Sequence, residues 1–426
     1  MNGYKCFLTM PEKMACTYKF SQYNIYLDES RGLVYNTRTQ AVSEFDNHTL
    51  DINDALELVD CGFIVPIDID ELDEIRGEYE ERSRISNEFH LILAITLDCQ
   101  FRCVYCYESH PKVYMTEDVK TAITGAVKDY AVAGKDISIV WYGGEPLLDF
   151  ESIRMLSSRF IDICNKYGVK YHASMISNGY LFSLESIAEL EDLRIESVQI
   201  TLDGMEDVHE QRRPLMNEGS SFDRIVQNMK NIKMNTNVDV HLRINVDKSN
   251  IESAYELVQY CSFAGLDNID VNLGMMKVFG CDHACGTATA NLFTMKEFAE
   301  EFLRFRDHIE KLGFEKAVKK MVPEYKINSC TMDAPNAYVI DPYGWVYKCI
   351  SQVGQKEHNI GNVLTGFDES AHNICNPFQS NRCTACKYFS VCKGGCLLNN
   401  AGKSVECNVW KYITEALVLR EVSETI

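Results

Sequence analysis

Apolar and polar positions change their spacing at about residue 91. Before that point the pattern is short and mixed. Tyr23-Asn-Ile-Tyr-Leu27 and Leu33-Val-Tyr35 alternate as strands do, with Asp28-Glu-Ser-Arg-Gly32 as the turn between them, and residues 41–45 extend the same pattern. Asn53 can cap a short helix over 54–60, with Gly62 beyond its end, an apolar Phe63-Ile-Val65 after it, and a charge-rich helix over 71–84. From residue 91 onward, apolar strands alternate with amphipathic helices. The strands fall at 91–97, 137–141, 171–176, 197–202, 238–246 and 269–273. Between them lie helices at 117–133, 153–167, 184–193, 222–234 and 251–263, and a sixth helix at 295–312 follows the last strand. Six strand-then-helix units with short loops predict an α/β fold: a parallel sheet with right-handed crossovers, open or partly closed as a barrel. In such sheets chemistry gathers at the C-terminal ends of the strands. Past residue 312 the periodicity weakens while Gly and Cys become frequent.

The 426 residues are 46% hydrophobic and 24% charged, with a formal charge of -20. This is ordinary globular composition, and the acidic balance argues against a broad nucleic-acid or anionic-lipid surface. No apolar run is long enough to span a membrane, and the first 20 residues lack the apolar stretch of a signal peptide. The expected location is the cytoplasm. Against that reducing background the 18 cysteines point to metal or redox chemistry.

Directly after the first core strand stands Cys99-Gln-Phe-Arg-Cys103-Val-Tyr-Cys106. Structural zinc usually takes four ligands, whereas a [4Fe–4S] cube wants one thiolate per iron, so three thiolates leave one iron open. This Cys-x3-Cys-x2-Cys pattern after the first strand of a β/α barrel resembles the radical SAM superfamily. The resemblance implies a partial (β/α)6 barrel and a [4Fe–4S] cluster on Cys99, Cys103 and Cys106, with S-adenosylmethionine on the open iron. Gly143-Gly144-Glu145-Pro146 after the second strand resembles the segment that meets the methionine amino group; glycines permit close approach and exposed N–H groups, and Glu145 can accept from an ammonium. Ser177-Asn178-Gly179 after the third strand and Asp203-Gly204 after the fourth resemble pocket-lining segments. His209…Arg213 matches a helix-entry pattern, and Arg243 and Asn245 lie in the fifth strand. Tyr105 stands where the family places an aromatic or apolar residue near adenine. For Tyr105, His209, Arg213, Arg243 and Asn245 a structural role in the barrel is an equal alternative.

A second cysteine series follows: Cys330, Cys349, then Cys383-x2-Cys386-x5-Cys392-x3-Cys396, then Cys407, with Gly344 between the first two. Its spacing alone is compatible with a zinc ribbon. The whole series resembles the SPASM extension of radical SAM enzymes, which implies two auxiliary [4Fe–4S] clusters and three clusters in all. By that resemblance Cys383, Cys386, Cys392 and Cys407 close the outer cluster, while Cys330, Cys349 and Cys396 hold the inner one. The inner cluster then lacks one ligand, which Cys281, Cys285 or Cys375 could donate; otherwise an iron stays open, and a substrate cysteine thiolate is a natural ligand for it. Cys6, Cys16, Cys61, Cys164 and Cys261 read as structural.

The domains expected are 1–85, a small α+β unit with its linker helix; 86–315, the radical SAM core; and 316–426, the SPASM segment. The first unit resembles the leader-recognition domain of maturases for ribosomally made peptides, which adds a leader peptide as a strand to a sheet edge. The function implied is reductive cleavage of S-adenosylmethionine and thioether crosslinking of a precursor peptide, with a flavodoxin- or ferredoxin-like protein as reductant. Side-chain carbon–carbon crosslinking and sulfatase maturation to formylglycine are the rival reactions. A non-catalytic iron–sulfur or zinc module is the rival of a different class.

Overall fold

The computed structural model describes residues 17–28, 30–44, 52–85, 87–217, 219–276, 291–371, 376–400 and 406–425. Two compact units result, and they do not follow chain order. One gathers residues 1–85, 322–334 and 375–426; the other gathers 86–321 and 335–374.

The first unit holds β1 (Tyr18–Phe20), β2 (Asn24–Asp28), β3 (Leu33–Asn36), β4 (Val42–Glu44), α1 (Ile52–Asp60), β5 (Ile64–Pro66) and α2 (Glu71–Ile85). Strands β2, β3 and β4 form an antiparallel sheet in that order, while β1 pairs with β5. The alternation of apolar positions has a definite recipient. Ile25 and Tyr35, from neighbouring strands, pack with Tyr388, Val391 and Val418, the last on the final helix, Trp410–Thr425. Tyr23 and Ile75 pack with Phe389. The N-terminal elements thus share two apolar clusters with the C-terminal segment.

The second unit contains β6 (Glu88–Thr96), α3 (Glu117–Val132), β7 (Asp136–Gly143), α4 (Phe150–Tyr167), β8 (Tyr171–Ser177), α5 (Leu184–Glu189), β9 (Ile195–Thr201), α6 (Glu206–Arg212), α7 (Phe222–Asn235), β10 (Asp239–Val246), α8 (Ile251–Phe263), β11 (Asp270–Met275), α9 (Met295–Lys311), α10 (Glu315–Lys320), β12 (Ala337–Ile340) and β13 (Val346–Tyr347). All six predicted strands are present and parallel, each neighbouring the next from β6 to β11. Strand β6 is buried along most of its length, as expected of a strand with both faces covered.

Three features depart from the pattern. The helix expected over 184–193 stops at Glu189 and finishes in turns, and α6 was not foreseen because it is a single polar stretch of seven residues. The weakly periodic C-terminal segment also contributes to the barrel sheet: β12 adds in parallel beside β6, and β13 returns antiparallel. The turn between them is Asp341-Pro342-Tyr343-Gly344. Asp341 accepts from the Tyr343 and Trp345 amides and from the Tyr347 hydroxyl, and Gly344 takes a φ of +81°, which explains the isolated glycine of the second cysteine series. Among the described residues no helix is long and apolar enough to cross a membrane.

Candidate functional site

The loop after β6 carries Cys99, Cys103 and Cys106. It is laced to the segment after α6: the Arg102 amide donates to the Pro214 carbonyl at 2.8 Å and the Val104 amide to the Arg212 carbonyl at 2.9 Å. Cys99 is buried and Cys103 and Cys106 are half-buried. Burial pushes the Cys99 thiol up to about 12, with the nearby Glu145 charge adding to it, and burial raises Cys103 and Cys106 as well. Three thiols in such a place ionise only with a cation beside them, and a metal cluster supplies one. Three cysteine thiols on one loop are of the donor type that an iron–sulfur cube takes.

Gly143 and Gly144 are required by sterics. A Cβ on Gly143 would stand 2.2 Å from the Thr96 carbonyl oxygen, and one on Gly144 would stand 2.4 Å from that of Asp98. Their approach lets the Gly144 amide donate to Thr96 O at 3.0 Å and the Glu145 amide to Asp98 O at 2.9 Å. This corrects one expectation: the N–H groups of Gly144 and Glu145 are spent on tying the loop after β7 to the cysteine loop. They are not presented to a ligand. Glu145 is fully buried and accepts from the Ser177 hydroxyl (2.8 Å), the Asn178 amide (2.8 Å) and the Leu147 amide (3.0 Å). Burial raises its carboxyl to about 7 against the pull of those donors. Four acceptor positions less three leave one for an ammonium. Pro146 starts a short 3₁₀ turn behind it. Asn178 closes the link by pointing its amide nitrogen at Cys99 Sγ (3.9 Å) and accepting from Gln100 (3.1 Å).

On the other side of the strand ends, Tyr105, Asp203, Arg213, Arg243 and Asn245 form one hydrogen-bonded network. The Tyr105 hydroxyl donates to Asp203 and accepts from Arg213 (2.8 Å) and Asn245 (3.2 Å), so all its positions are used. The Asn245 amide donates to Asp203 at 3.0 Å, and Arg243 donates to the Asn245 side chain at 2.9 Å and to Asn272. His209 holds α6 to α7. The Ser221 hydroxyl donates to Glu210, so His209 Nε2 donates to it in turn, at 3.2 Å, and Nδ1 is left as an acceptor without a partner among the described residues. Burial keeps that imidazole neutral, its pKa lowered to about 3.

Sequence reasoning missed Arg212, which pairs with buried Asp247 at 3.0 Å and lies 5.5 Å over the Tyr105 ring. The pattern singles out its neighbour Arg213; nothing in one sequence tells that both of two adjacent arginines turn inward. Gly274 was also missed. A Cβ there would overlap the Arg243 guanidinium, 1.8 Å from its nearest nitrogen, so glycine opens the space in which that side chain lies. Nε of Arg213 is buried without a hydrogen-bond acceptor among the described residues, while Nε of Arg212 lies 3.8 Å from the buried Asp203 carboxylate.

In the first unit, Cys383, Cys386, Cys392 and Cys407 line one cavity of about 260 Å³. Cys407 Sγ receives N–H groups from Arg382 (3.5 Å) and Lys411 (3.6 Å), and burial pushes Cys392 up to about 11. Among the described residues no three Cys, His, Asp or Glu side chains converge on a point that a single ion would occupy; a cube instead spreads its thiolates over four irons. Cys330 and Cys396 belong to the same unit, where the Ser329 hydroxyl donates to the Gly395 carbonyl at 2.8 Å. Cys349, in the other unit, has its sulfur 3.1 Å from the Ser351 hydroxyl. Cys281, Cys285 and Cys375 lie outside the described residues.

Residues 93–276 match the profile of the Radical SAM superfamily. An uncharacterized protein of Methanocaldococcus jannaschii is 27% identical over 270 residues, 61% of this chain and 84% of that protein. The sporulation killing factor maturation protein SkfB of Bacillus subtilis is 27% identical over 176 residues, 41% of this chain and 39% of its own length. Among solved structures, anSMEcpe with bound AdoMet and the Cp18Cys peptide superposes with a TM-score of 0.61 at 18% identity, covering 79% of this chain and 99% of that one. SuiB of Streptococcus suis bound to precursor peptide SuiA superposes with a TM-score of 0.54 at 15% identity, covering 91% and 97%.

Proposed function

We propose that this chain, which carries a radical SAM domain over residues 93–276 and is an enzyme of that superfamily, is a peptide maturase that joins a cysteine sulfur to a carbon of a precursor peptide as a thioether. The observation that carries the reading is the pairing of a three-thiol loop at a barrel strand end with a separate four-thiol cavity. The relatedness to SkfB and the likeness to SuiB, described with its precursor peptide, support a peptide substrate. We assign Cys99, Cys103 and Cys106 to the first [4Fe–4S] cluster, Cys383, Cys386, Cys392 and Cys407 to an outer one, and Cys330, Cys349 and Cys396 to an inner one.

Cys99, Cys103 and Cys106 would hold a [4Fe–4S] cluster, which would supply the electron for reductive cleavage of S-adenosylmethionine. The chain's own contribution is placement and exclusion. Glu145 keeps one acceptor position for the amino group of S-adenosylmethionine. The buried network around Tyr105 keeps water from the strand ends. Over the whole reaction one C–H and one S–H bond break and one C–S bond forms. S-adenosylmethionine is the net two-electron oxidant: 5′-deoxyadenosine carries off one hydrogen and the other leaves as a proton. An electron carrier of the flavodoxin or ferredoxin kind supplies the starting electron, one electron is given back as the C–S bond closes so that the carrier is not consumed overall, and we place the reaction in the cytoplasm.

The expected product is two hydrogens lighter than the peptide and has one free thiol fewer, measured by mass spectrometry with and without thiol alkylation. A product two hydrogens lighter that keeps every thiol would instead establish carbon–carbon crosslinking. The informative substrate is a short cysteine-bearing precursor peptide, to be sought among the open reading frames that neighbour this one.

The leader of that peptide is proposed to add as a strand to an edge of the β2–β3–β4 sheet, where main-chain hydrogen bonds supply affinity. Removing residues 1–85 is a poor test, because it would expose the core that Ile25, Tyr35 and Tyr23 share with Val418 and Phe389. Hydrogen exchange on the full chain avoids this. Adding precursor peptide should slow exchange of amides in Asn24–Asp28 or Val42–Glu44 while leaving β3 unchanged. Saturating peptide with no change in either strand would end the edge-capture idea.

A further inference from the structure

We propose that Thr37, in the N-terminal unit, is a positioning residue of the four-cysteine site, so that the residues just after β3 are part of that site's support. The inference rests on the reading that Cys383, Cys386, Cys392 and Cys407 hold metal. Thr37 and Ser390 are both fully buried. The Ser390 hydroxyl donates to Thr37 Oγ1 at 2.6 Å, and Thr37 Oγ1 donates to the Lys387 carbonyl at 2.6 Å. The Tyr23 carbonyl, at 3.3 Å, is the longer alternative for the same proton. A hydroxyl has one proton to give and lone pairs to receive with, so this arrangement uses Thr37 in both capacities. Lys387 directly follows Cys386, and Ser390 stands two residues before Cys392. One side chain therefore clasps both ends of the short segment that separates two of the four thiols.

The rest of that segment is held by the same N-terminal elements. Phe389 packs on Tyr23 and Ile75 with Cys383 against the same cluster, and Tyr388 and Val391 pack on Ile25 and Tyr35 with Cys386 alongside. Thr37 is itself fixed, its amide donating to the Tyr23 carbonyl at 3.0 Å. Two of the four sulfurs are thus backed by side chains of β2, β3 and α2. Without metal, four thiols lining one cavity have no bond that holds them apart or together. Their spacing is set by the backbone between them, and Thr37 pins that backbone. Valine in its place has the same shape but takes one donor from the Lys387 carbonyl and removes the acceptor of the buried Ser390 hydroxyl.

The test uses the full chain, reconstituted anaerobically, with iron content and low-temperature EPR of the reduced protein as readouts. Thr37→Val should lose about a third of the iron, the share of one cube in three, together with one EPR signal. The signal that responds to added S-adenosylmethionine should stay. Thr37→Ser, which keeps the hydroxyl, should restore both iron and signal; a purely volumetric role would favour valine over serine. Thr37→Val with wild-type iron and spectrum overturns the proposal. Should that variant prove insoluble, Ser390→Ala decides: release of the outer iron to a chelator roughly tenfold faster, as expected from one weakened buried hydrogen bond, supports the proposal, and a wild-type rate overturns it. Wild-type protein that reconstitutes with no iron attributable to Cys383, Cys386, Cys392 and Cys407 overturns the metal reading and the Thr37 role together. A loaded wild type beside an equally loaded Thr37→Val overturns the Thr37 role alone.

Discussion

Replacing Cys99, Cys103 and Cys106 together by alanine is expected to abolish production of 5′-deoxyadenosine and to remove about a third of the iron from anaerobically reconstituted protein. Three cubes hold roughly twelve irons, four in each, so the loss of one is a step and not a drift. The three cysteines sit on one loop whose backbone is bonded to the segment after α6 through Arg102 and Val104. That lacing does not involve the sulfurs, so the variant should keep its fold and its remaining iron. Circular dichroism should match wild type. Retention of all the iron would mean that the cluster lies elsewhere, and residual 5′-deoxyadenosine would mean that another site cleaves S-adenosylmethionine. Zinc found in place of iron in the C-terminal segment after anaerobic purification would remove the two auxiliary clusters from the account.

Gly143→Ala should be the most damaging single exchange of small residues in the barrel. Two costs add there. The residue holds a φ of +136°, which an L side chain rarely adopts, and the new methyl would meet the Thr96 carbonyl oxygen at 2.2 Å. Backbone on both sides cannot yield cheaply, because the neighbouring Gly144 and Glu145 amides are bonded to Thr96 and Asp98. Denaturant unfolding should show a loss of roughly 3 kcal/mol or more, the range of combined strain and broken buried hydrogen bonds. Gly134→Ala is the control. Its φ is +75° but nothing lies within 4 Å of the added carbon, so conformational strain acts alone, at about 1 kcal/mol. Equal losses at the two positions would show that contact with the cysteine loop is not what demands glycine. Because the contact lies at Thr96, three residues before Cys99, Gly143→Ala should also lower cluster occupancy on the first three cysteines.

The six strands, their order and their parallel pairing were legible in the sequence because hydrophobic period is a local record of which face is buried. The placing of Cys99–Cys106, Gly143–Pro146, Ser177–Asn178 and Asp203 just past strand ends was legible for the same reason. What the tertiary structure decided are the partners. Period cannot say what a buried face is buried against, so nothing local announced that β12 joins β6, or that Ile25 meets Val418. The glycines were recognised as sites of close approach, but only the coordinates show that the approach is of one loop to another, which uses the N–H groups expected to face a ligand. Buried polar pairs such as Arg212 with Asp247, or Thr37 with Lys387 at a separation of 350 positions, leave no periodic trace, since each is a single contact between residues that chain order keeps apart. Hydrophobic spacing and metal-ligand spacing are properties of short windows of chain. The clasp on the cysteine loop and the network around Tyr105 exist only once distant windows have met.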